Sequence, residues 1–257
     1  MQTDYSSDAR IVIIGSGVVG AALADELTQR GADNVTVLDQ GPLYDVGGSS
    51  SHAPGFVFQI NPSKAMCELA QRTLNKLDTL DPGNEDDWIL KRVGGVELAY
   101  TDEQMRELKR RHGFAQAWGV ESELIGPSRT KELWPSLDTS ELVGALHTPT
   151  DGIVHSVRAI TAQAQRAIAH GATFHSYTQV TDLVIDNSAV TGVRVVDALS
   201  GDNERVIEAD IVIAAGGIWG PTIGKWFGKD LPMQPVEHGF GFTHELEEFQ
   251  DAATSES

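Results

Sequence analysis

The sequence predicts an α/β fold built on a mostly parallel sheet with a second lobe inserted into it, and three observations predict this. First, the branched run Ile11–Ile14 leads straight into Gly15-Ser16-Gly17-Val18-Val19-Gly20, then a helical stretch to Gly31, then a second apolar run, Val35–Leu38, ending in Asp39. Second, the alternation of strand and helix is lost from about residue 60 to 150. Third, it returns beyond 150 and closes with another apolar strand, Asp210-Ile211-Val212-Ile213-Ala214-Ala215-Gly216-Gly217. Unbroken branched runs suit strands covered on both faces, and parallel strands need crossover helices to join them.

A chain of 257 residues can bury a substantial core without staples. Its 40% apolar and 22% charged content belongs to a folded globular protein. Nineteen Lys and Arg against 37 Asp and Glu give a net charge of −18, which argues against nucleic acid and anionic membranes as partners. The single cysteine, Cys67, excludes an internal disulfide framework and a multi-cysteine zinc or iron–sulfur site; no metal site is expected. Nothing around Cys67 is basic, so it reads as a small buried apolar side chain on a helix. The opening MQTDYSSDAR lacks the basic region of a signal peptide, and the apolar stretch 11–24 is too short to span a bilayer, so a cytoplasmic location is expected.

The opening strand, glycine turn, helix, strand and acid form the βαβ unit of a Rossmann-like dinucleotide-binding domain. The glycines have separate tasks: Gly15 permits the tight turn, Gly17 lets a pyrophosphate approach the backbone, and Gly20 lets helix and strand pack closely. The helix N-terminus offers unpaired N–H groups and a favourable dipole to phosphates. Asp39 is placed to accept hydrogen bonds from an adenosine ribose. Residues 41–55, GPLYDVGGSSSHAPG, lack periodicity and read as a structured loop able to wrap a cofactor. There Gly47 and Gly48 permit backbone approach and three serines offer donors. His52, in the middle of that loop, is either a polar loop residue or a functional imidazole beside the nucleotide unit.

In the next section Asn61 and Pro62 suit a helix start, with Met66, Leu69, Leu74, Leu77 and Leu80 along one face. Residues 92–100 read as a short strand with a glycine bend. Thr101-Asp102-Glu103-Gln104 reads as a capping box for a helix closed by Gly113, and 128–134 as a short helix stopped by Pro135. Ser156 is expected to cap a helix with a stripe of Val157, Ile160, Ala164, Ala167 and Ile168, ending at Gly171. Strands are expected at 180–185, 192–198 and 205–208. The last fifteen residues, 243–257, carry five acidic groups and no basic ones, and read as a loop.

One segment is more specific than any of these patterns: Gly47-Gly48-Ser49-Ser50-Ser51-His52-Ala53-Pro54-Gly55, followed by Phe56-Val57-Phe58 and Asn61-Pro62-Ser63. From Arg10 to about His238 the chain resembles the N-terminal part of the dimethylglycine oxidase, dimethylglycine dehydrogenase and sarcosine dehydrogenase group of D-amino-acid-oxidase-like FAD enzymes. The resemblance implies that His52 carries the flavin covalently through its 8α-methyl group. It implies that Val18, Val19, Asp39, Gln40, Ser49, Ser50, Ser51, His52, Phe56 and Val180 hold FAD, beside Gly15, Gly17, Gly20 and Gly48. Ala215-Gly216-Gly217-Ile218-Trp219 resembles the segment where a strand of the nucleotide domain ends beside the cofactor, with Ala215, Gly216 and Trp219 as contacts. His238 matches a histidine on the substrate side and is the candidate catalytic residue.

The two βαβ-type signals flanking a region without them divide the chain into an FAD-binding domain in two segments, 1–60 and 150–230, a partial substrate lobe at 61–149, and the start of a second lobe segment at 231–257. The implied reaction is oxidative N-demethylation of dimethylglycine, favoured over sarcosine, with oxygen or an electron-transfer flavoprotein as acceptor. Relatives of this group continue further, adding an active-site tyrosine, a final flavin-contacting loop and usually folate-binding domains. The chain is therefore expected to be a piece of a longer product or one half of a split enzyme, and tetrahydrofolate is expected only where those C-terminal domains exist. A non-catalytic flavin-binding or regulatory subunit of the same fold is the alternative.

Overall fold

A computed structural model describes residues 8–44, 47–83, 87–237, 239, 241 and 244. In chain order the elements are β1 (Ile11–Ile14), α1 (Val18–Gln29), β2 (Val35–Leu38), α2 (Ser49–His52), β3 (Phe56–Val57), α3 (Lys64–Leu77), β4 (Leu90–Lys91), β5 (Gly95–Ala99), α4 (Asp102–Ala117), β6 (Glu123–Ile125) and α5 (Pro127–Leu133). Then follow β7 (Gly144–Thr148), β8 (Gly152–Val154), α6 (Ser156–Ala169), β9 (Thr173–His175), β10 (Thr178–Asp186), β11 (Ala189–Asp197), β12 (Arg205–Glu208), β13 (Ile211–Ala214), a 3₁₀ turn (Gly217–Trp219) and α7 (Gly220–Trp226).

A parallel four-stranded sheet in the order β13-β1-β2-β9 is the centre of the molecule. Ile11 pairs with both Val35 and Ile211, and Ile14 with both Leu38 and Ala214, so β1 lies between strands from the two ends of the chain. All four β1 residues are buried, as two-sided coverage demands. Val12 and Ile14 pack with Leu38 against Val180, Leu183, Val193 and Val195 of the antiparallel β10-β11-β12 sheet. Ile11 and Ile13 face the other way, onto Val35, Val37, Ala24 and Ala167. Each such side chain contributes roughly 1.5–3 kcal/mol on leaving water. Arg10 anchors the approach to β1, donating to both carboxylate oxygens of Asp210 at 2.8 and 3.1 Å, and this contact holds Asp210 down at about 2.

Helix α1 packs tightly beneath the sheet because small residues line it. A Cβ on Gly20 would overlap the carbonyl oxygen of Gly15, and Ala21 is fully buried against Ile160 and Ala164 of α6. Asp25, also on α1, is completely buried. Arg166 of α6 grips it with Nε to Oδ1 at 2.8 Å and a terminal nitrogen to Oδ2 at 2.7 Å. Lys76 of α3 adds a contact of 2.8 Å to Oδ2, and Gln29 donates to Oδ1 at 2.8 Å. Burial pushes the Asp25 carboxyl up, and the hydrogen bonds from Arg166 and Lys76 more than offset it, leaving the group below the usual carboxylate range.

Residues 61–149 hold α3, α4 and α5 with the β5-β7-β6 sheet, while β3-β8-β4 joins strands from before, within and after that stretch. Several local expectations are corrected here. Ser63, rather than Asn61, caps α3 by accepting from the Met66 N–H at 3.3 Å; the Asn61 amide instead donates to the carbonyls of Phe58 and Gln59. Leu74, Leu77 and Leu80 are buried, but Met66 and Leu69 are exposed, because the inward stripe at that end of α3 runs through Cys67. The Thr101–Gln104 capping box is present, yet α4 continues through Gly113 and stops before Gly119, whose φ is 73°. His155, not Ser156, caps α6 through its imidazole, because Ser156 already lies inside the helix. Within the structured loop expected at 41–55, Ser49–His52 forms one helical turn. Cys67 is buried on α3, packed with Ile60, Leu108 and Leu146.

Two stability outcomes follow from this packing. Replacing Asp25 with Ala strands Arg166 and Lys76 and should lower stability by about 3–5 kcal/mol in chemical unfolding. Because the folded-state carboxyl is held low, this stabilisation is present above 3.8 and lost as pH falls below it, whereas the variant should show a flatter acid limb. The glycines should split: Gly20→Ala collides with backbone and should destabilise by roughly 1–3 kcal/mol. Gly113→Ala, in mid-helix with nothing within 4 Å of the new methyl, should stabilise by about 0.5–1 kcal/mol.

Candidate functional site

The C-terminal ends of β1, β2 and β13 meet at one edge of the parallel sheet, the usual ligand side of such sheets. Gly15 turns the chain there with φ of 104°, and a Cβ on it would stand 2.6 Å from the Ala215 carbonyl oxygen. The β1–α1 turn therefore abuts the Ala215-Gly216 segment that follows β13. Gly17 is the N-cap of α1 and supplies no side-chain cap. The first helical N–H, from Val18, donates to the Ser50 hydroxyl at 3.1 Å, which ties α2 to the helix N-terminus. Val18 and Val19 are 47% and 63% exposed, so their side chains line an open apolar surface.

Asp39 closes the other side of this edge. Its Oδ2 accepts from the Ser16 N–H at 2.7 Å and the Ser16 hydroxyl at 2.8 Å, and Oδ1 accepts from the Gly41 N–H at 2.8 Å. A carboxylate has about four acceptor directions, so these bonds orient it and leave capacity for a hydroxyl of a ligand. Gln40 is exposed beside it. Thr178 donates its backbone N–H to the Asp39 carbonyl at 2.7 Å, which brings the start of β10 and hence Val180 next to the acid. The Val180 side chain itself is buried in the core.

His52 ends the α2 turn and is exposed. Its Nδ1 lies 2.9 Å from the Gly48 carbonyl oxygen and 3.0 Å from the Ser51 hydroxyl. Because a carbonyl oxygen only accepts, the neutral ring carries its proton on Nδ1 and its basic lone pair on Nε2. A Cβ on Gly48 would meet the Trp219 ring at 3.5 Å, so the segment after β13 reaches the histidine turn as well. Trp219 and Phe56 are 41% and 48% exposed, and the Phe56 ring lies 5.8 Å from that of Phe58. Gly15, Gly17, Val18, Asp39, Gly48, Ser50, Ala215, Gly216 and Trp219 are thus brought together from four separate stretches of chain. Ser49 is exposed on the same turn. His238 lies outside the described residues.

Sequence reasoning missed a second feature beside the site. Asp151 is a buried carboxyl at the turn between β7 and β8, and burial pushes it up to about 6. Its Oδ1 accepts from the Gln59 N–H at 2.9 Å and the Gln59 amide at 3.2 Å, which pull it down. Glu97 pushes it further up and Arg92 draws it down. The Asp151-Gly152 pair was the available signal, since such dipeptides mark turns between short strands. Two hollows of about 230 and 250 Å³ lie away from this edge, one between residues 81–83 and α6, the other at the opposite end of the parallel strands near Arg10, Asn34 and Glu208. Among the described residues no group of His, Cys, Asp and Glu could hold a metal ion, and no helix is long and apolar enough to cross a membrane.

This arrangement fits a dinucleotide cofactor: a helix N-terminus whose N-cap, Gly17, has no side chain to cover it, a side-chain-free turn at Gly15 and Gly17, and an oriented acid at the end of β2. Comparison with known proteins agrees. The chain is 28% identical to mouse mitochondrial sarcosine dehydrogenase and 26% identical to rat mitochondrial dimethylglycine dehydrogenase, each over 95% of this chain. It is also 27% identical over 92% of its length to the mouse mitochondrial pyruvate dehydrogenase phosphatase regulatory subunit. The matches cover 26%, 28% and 26% of those proteins, so the chain spans about a quarter of the curated relatives it resembles. Among solved structures, L-proline dehydrogenase from P. horikoshii superposes with a TM-score of 0.76 at 31% identity, over 86% of this chain and 56% of that one. The family model for FAD dependent oxidoreductases matches residues 10–254, and this chain belongs to that family.

Proposed function

We propose that this chain is the nucleotide-binding part of an enzyme that oxidatively demethylates a small N-methyl amino acid, dimethylglycine ahead of sarcosine, with FAD joined covalently to His52. The observation that carries this reading is the Ser50 bridge, which sets the histidine turn against the N-terminus of α1. In this assignment the α1 N-terminus receives the pyrophosphate and Asp39 a ribose hydroxyl. Nε2 of His52, basic because Nδ1 is turned to the Gly48 carbonyl, is the nitrogen assigned to the flavin bond. Bound flavin supplies the acceptor for a hydride equivalent from the N-methyl carbon. His238 is assigned to favouring the neutral amine, since an ammonium is a poor hydride donor and imidazole titrates in the useful range.

The similarity to sarcosine and dimethylglycine dehydrogenases supports the substrate class, and turnover is assigned to a longer functional unit, either one polypeptide or this chain with a separately encoded second half. Oxygen or an electron-transfer flavoprotein is the proposed acceptor. Formaldehyde is the proposed one-carbon product, or transfer to tetrahydrofolate where folate-binding domains are present. A second reading, a flavin-binding regulatory subunit without turnover, is favoured by the similarity to the phosphatase regulatory subunit.

Yellow colour should survive acid precipitation, with a flavin mass increment on the peptide containing His52. His52→Ala should abolish the increment, and its persistence would refute the attachment site. In the longer functional unit dimethylglycine should release formaldehyde. A folded, flavin-loaded unit inert toward dimethylglycine and sarcosine would favour the regulatory reading. His238→Ala should shift the pH profile of flavin reduction, and an unchanged profile removes it from the mechanism.

A further inference from the structure

The turn between β7 and β8 is where the β5-β7-β6 sheet meets the β3-β8-β4 sheet. The Asp151 N–H donates to the Thr148 carbonyl at 3.3 Å, and its own carbonyl accepts from Gly94 at 2.9 Å, between β4 and β5. Arg92 donates to the Thr150 carbonyl at 2.9 Å. Into this corner reaches Gln59, just beyond β3, whose amide donates to the Thr150 hydroxyl at 2.6 Å as well as to Asp151. A Cβ on Gly95 would lie 2.9 Å from Asp151 Oδ2 and 3.0 Å from the tip of the Phe56 ring, so carboxyl and ring are seated on the same glycine. The stretch 52–59 therefore carries His52 at one end and is anchored on the Asp151 carboxyl at the other.

We propose that Asp151 is a positioning residue: through Gln59 it holds the 52–59 segment so that His52 and Phe56 are presented to the flavin. This rests on the flavin reading above and deepens it, since Asp151 itself is placed to touch neither the nucleotide turn nor His52. The carboxylate is the better acceptor for the two Gln59 donors, and deprotonation completes the anchor as pH rises through about 6. The groups facing it from neighbouring elements are Glu97 on β5 and Arg92 on the β4–β5 link; Glu97 is itself paired with Arg111. His147 of β7 lies against Gly94, where a Cβ would be 3.3 Å from its Nε2.

The test compares wild type with Asp151→Asn, Asp151→Ala and Gln59→Ala, each incubated with FAD between pH 5 and 8. Covalent flavin is read after acid precipitation, reversible FAD binding by fluorescence, and amide hydrogen exchange of 52–59 in the protein without flavin. Wild-type attachment should rise through pH 6, and Asp151→Asn should lose that step. Asp151→Ala and Gln59→Ala should attach flavin on the order of tenfold more slowly, the scale of losing a supporting contact, while reversible FAD affinity stays within about threefold. Exchange should rise across 52–59 in both and remain unchanged in β1 and α1. Attachment and exchange equal to wild type in Gln59→Ala and Asp151→Asn at every pH would overturn the proposal, as would a loss of protection spread over the whole chain in Gln59→Ala. A wild type that takes up no FAD sinks the flavin reading instead, and the exchange data then still decide whether Asp151 anchors the segment.

Discussion

The buried carboxylate of Asp25 is the constraint on which the geometry of the site depends. A charge taken fully out of water is tolerated only with good geometry and satisfied lone pairs. Here Arg166, Lys76 and Gln29 supply both. Those partners lie on α6, α3 and α1, so one side chain sets the mutual position of three helices. Because α1 carries the glycine turn at its N-terminus, its axis decides where the N–H groups of that turn point. The alanine contacts between α1 and α6 would allow the helices to slide, since small apolar surfaces are alike, and the paired charges remove that freedom.

At the sheet edge the same economy appears as bonds between segments far apart in sequence. Ser50 accepts from Val18, Ser16 donates twice to Asp39, and Ala215 lies against Gly15. The hydrogen bonds orient polar groups and the close approach of Ala215 fixes the turn, and preorganisation of this kind lowers the entropic cost of binding. The apolar lining behaves differently. Val18, Val19, Phe56 and Trp219 remain exposed, an apolar surface left outside the finished core.

Much of this was legible locally. The branched runs, the glycine spacing and the terminal acid named β1, α1 and β2, and the capping box at Thr101 was found where expected. Errors cluster where two local signals compete. Asn61 and Ser63 are both good caps, and the chain path to Phe58 and Gln59 took the Asn61 amide for itself. Gly113 resembles a helix stop, but packing of Leu108 and Ala115 carries α4 past it. The short strands β3, β4 and β8, of two or three residues each, are too brief for any period to register.

The sequence by itself determined the first βαβ unit: strand, turn, helix and acid obey rules that act within a dozen residues, namely side-chain period, glycine dihedral freedom and the cover a parallel strand requires. Only the tertiary structure decided which surfaces meet. The strand at 211–213 is found beside β1, as expected, whereas the grip of Arg166 on Asp25 across 141 positions and the reach of Gln59 to Asp151 across 92 leave no periodic trace. Such contacts arise when packed elements bring polar groups to one place, and the free energy of satisfying a buried charge depends on geometry that no local pattern encodes.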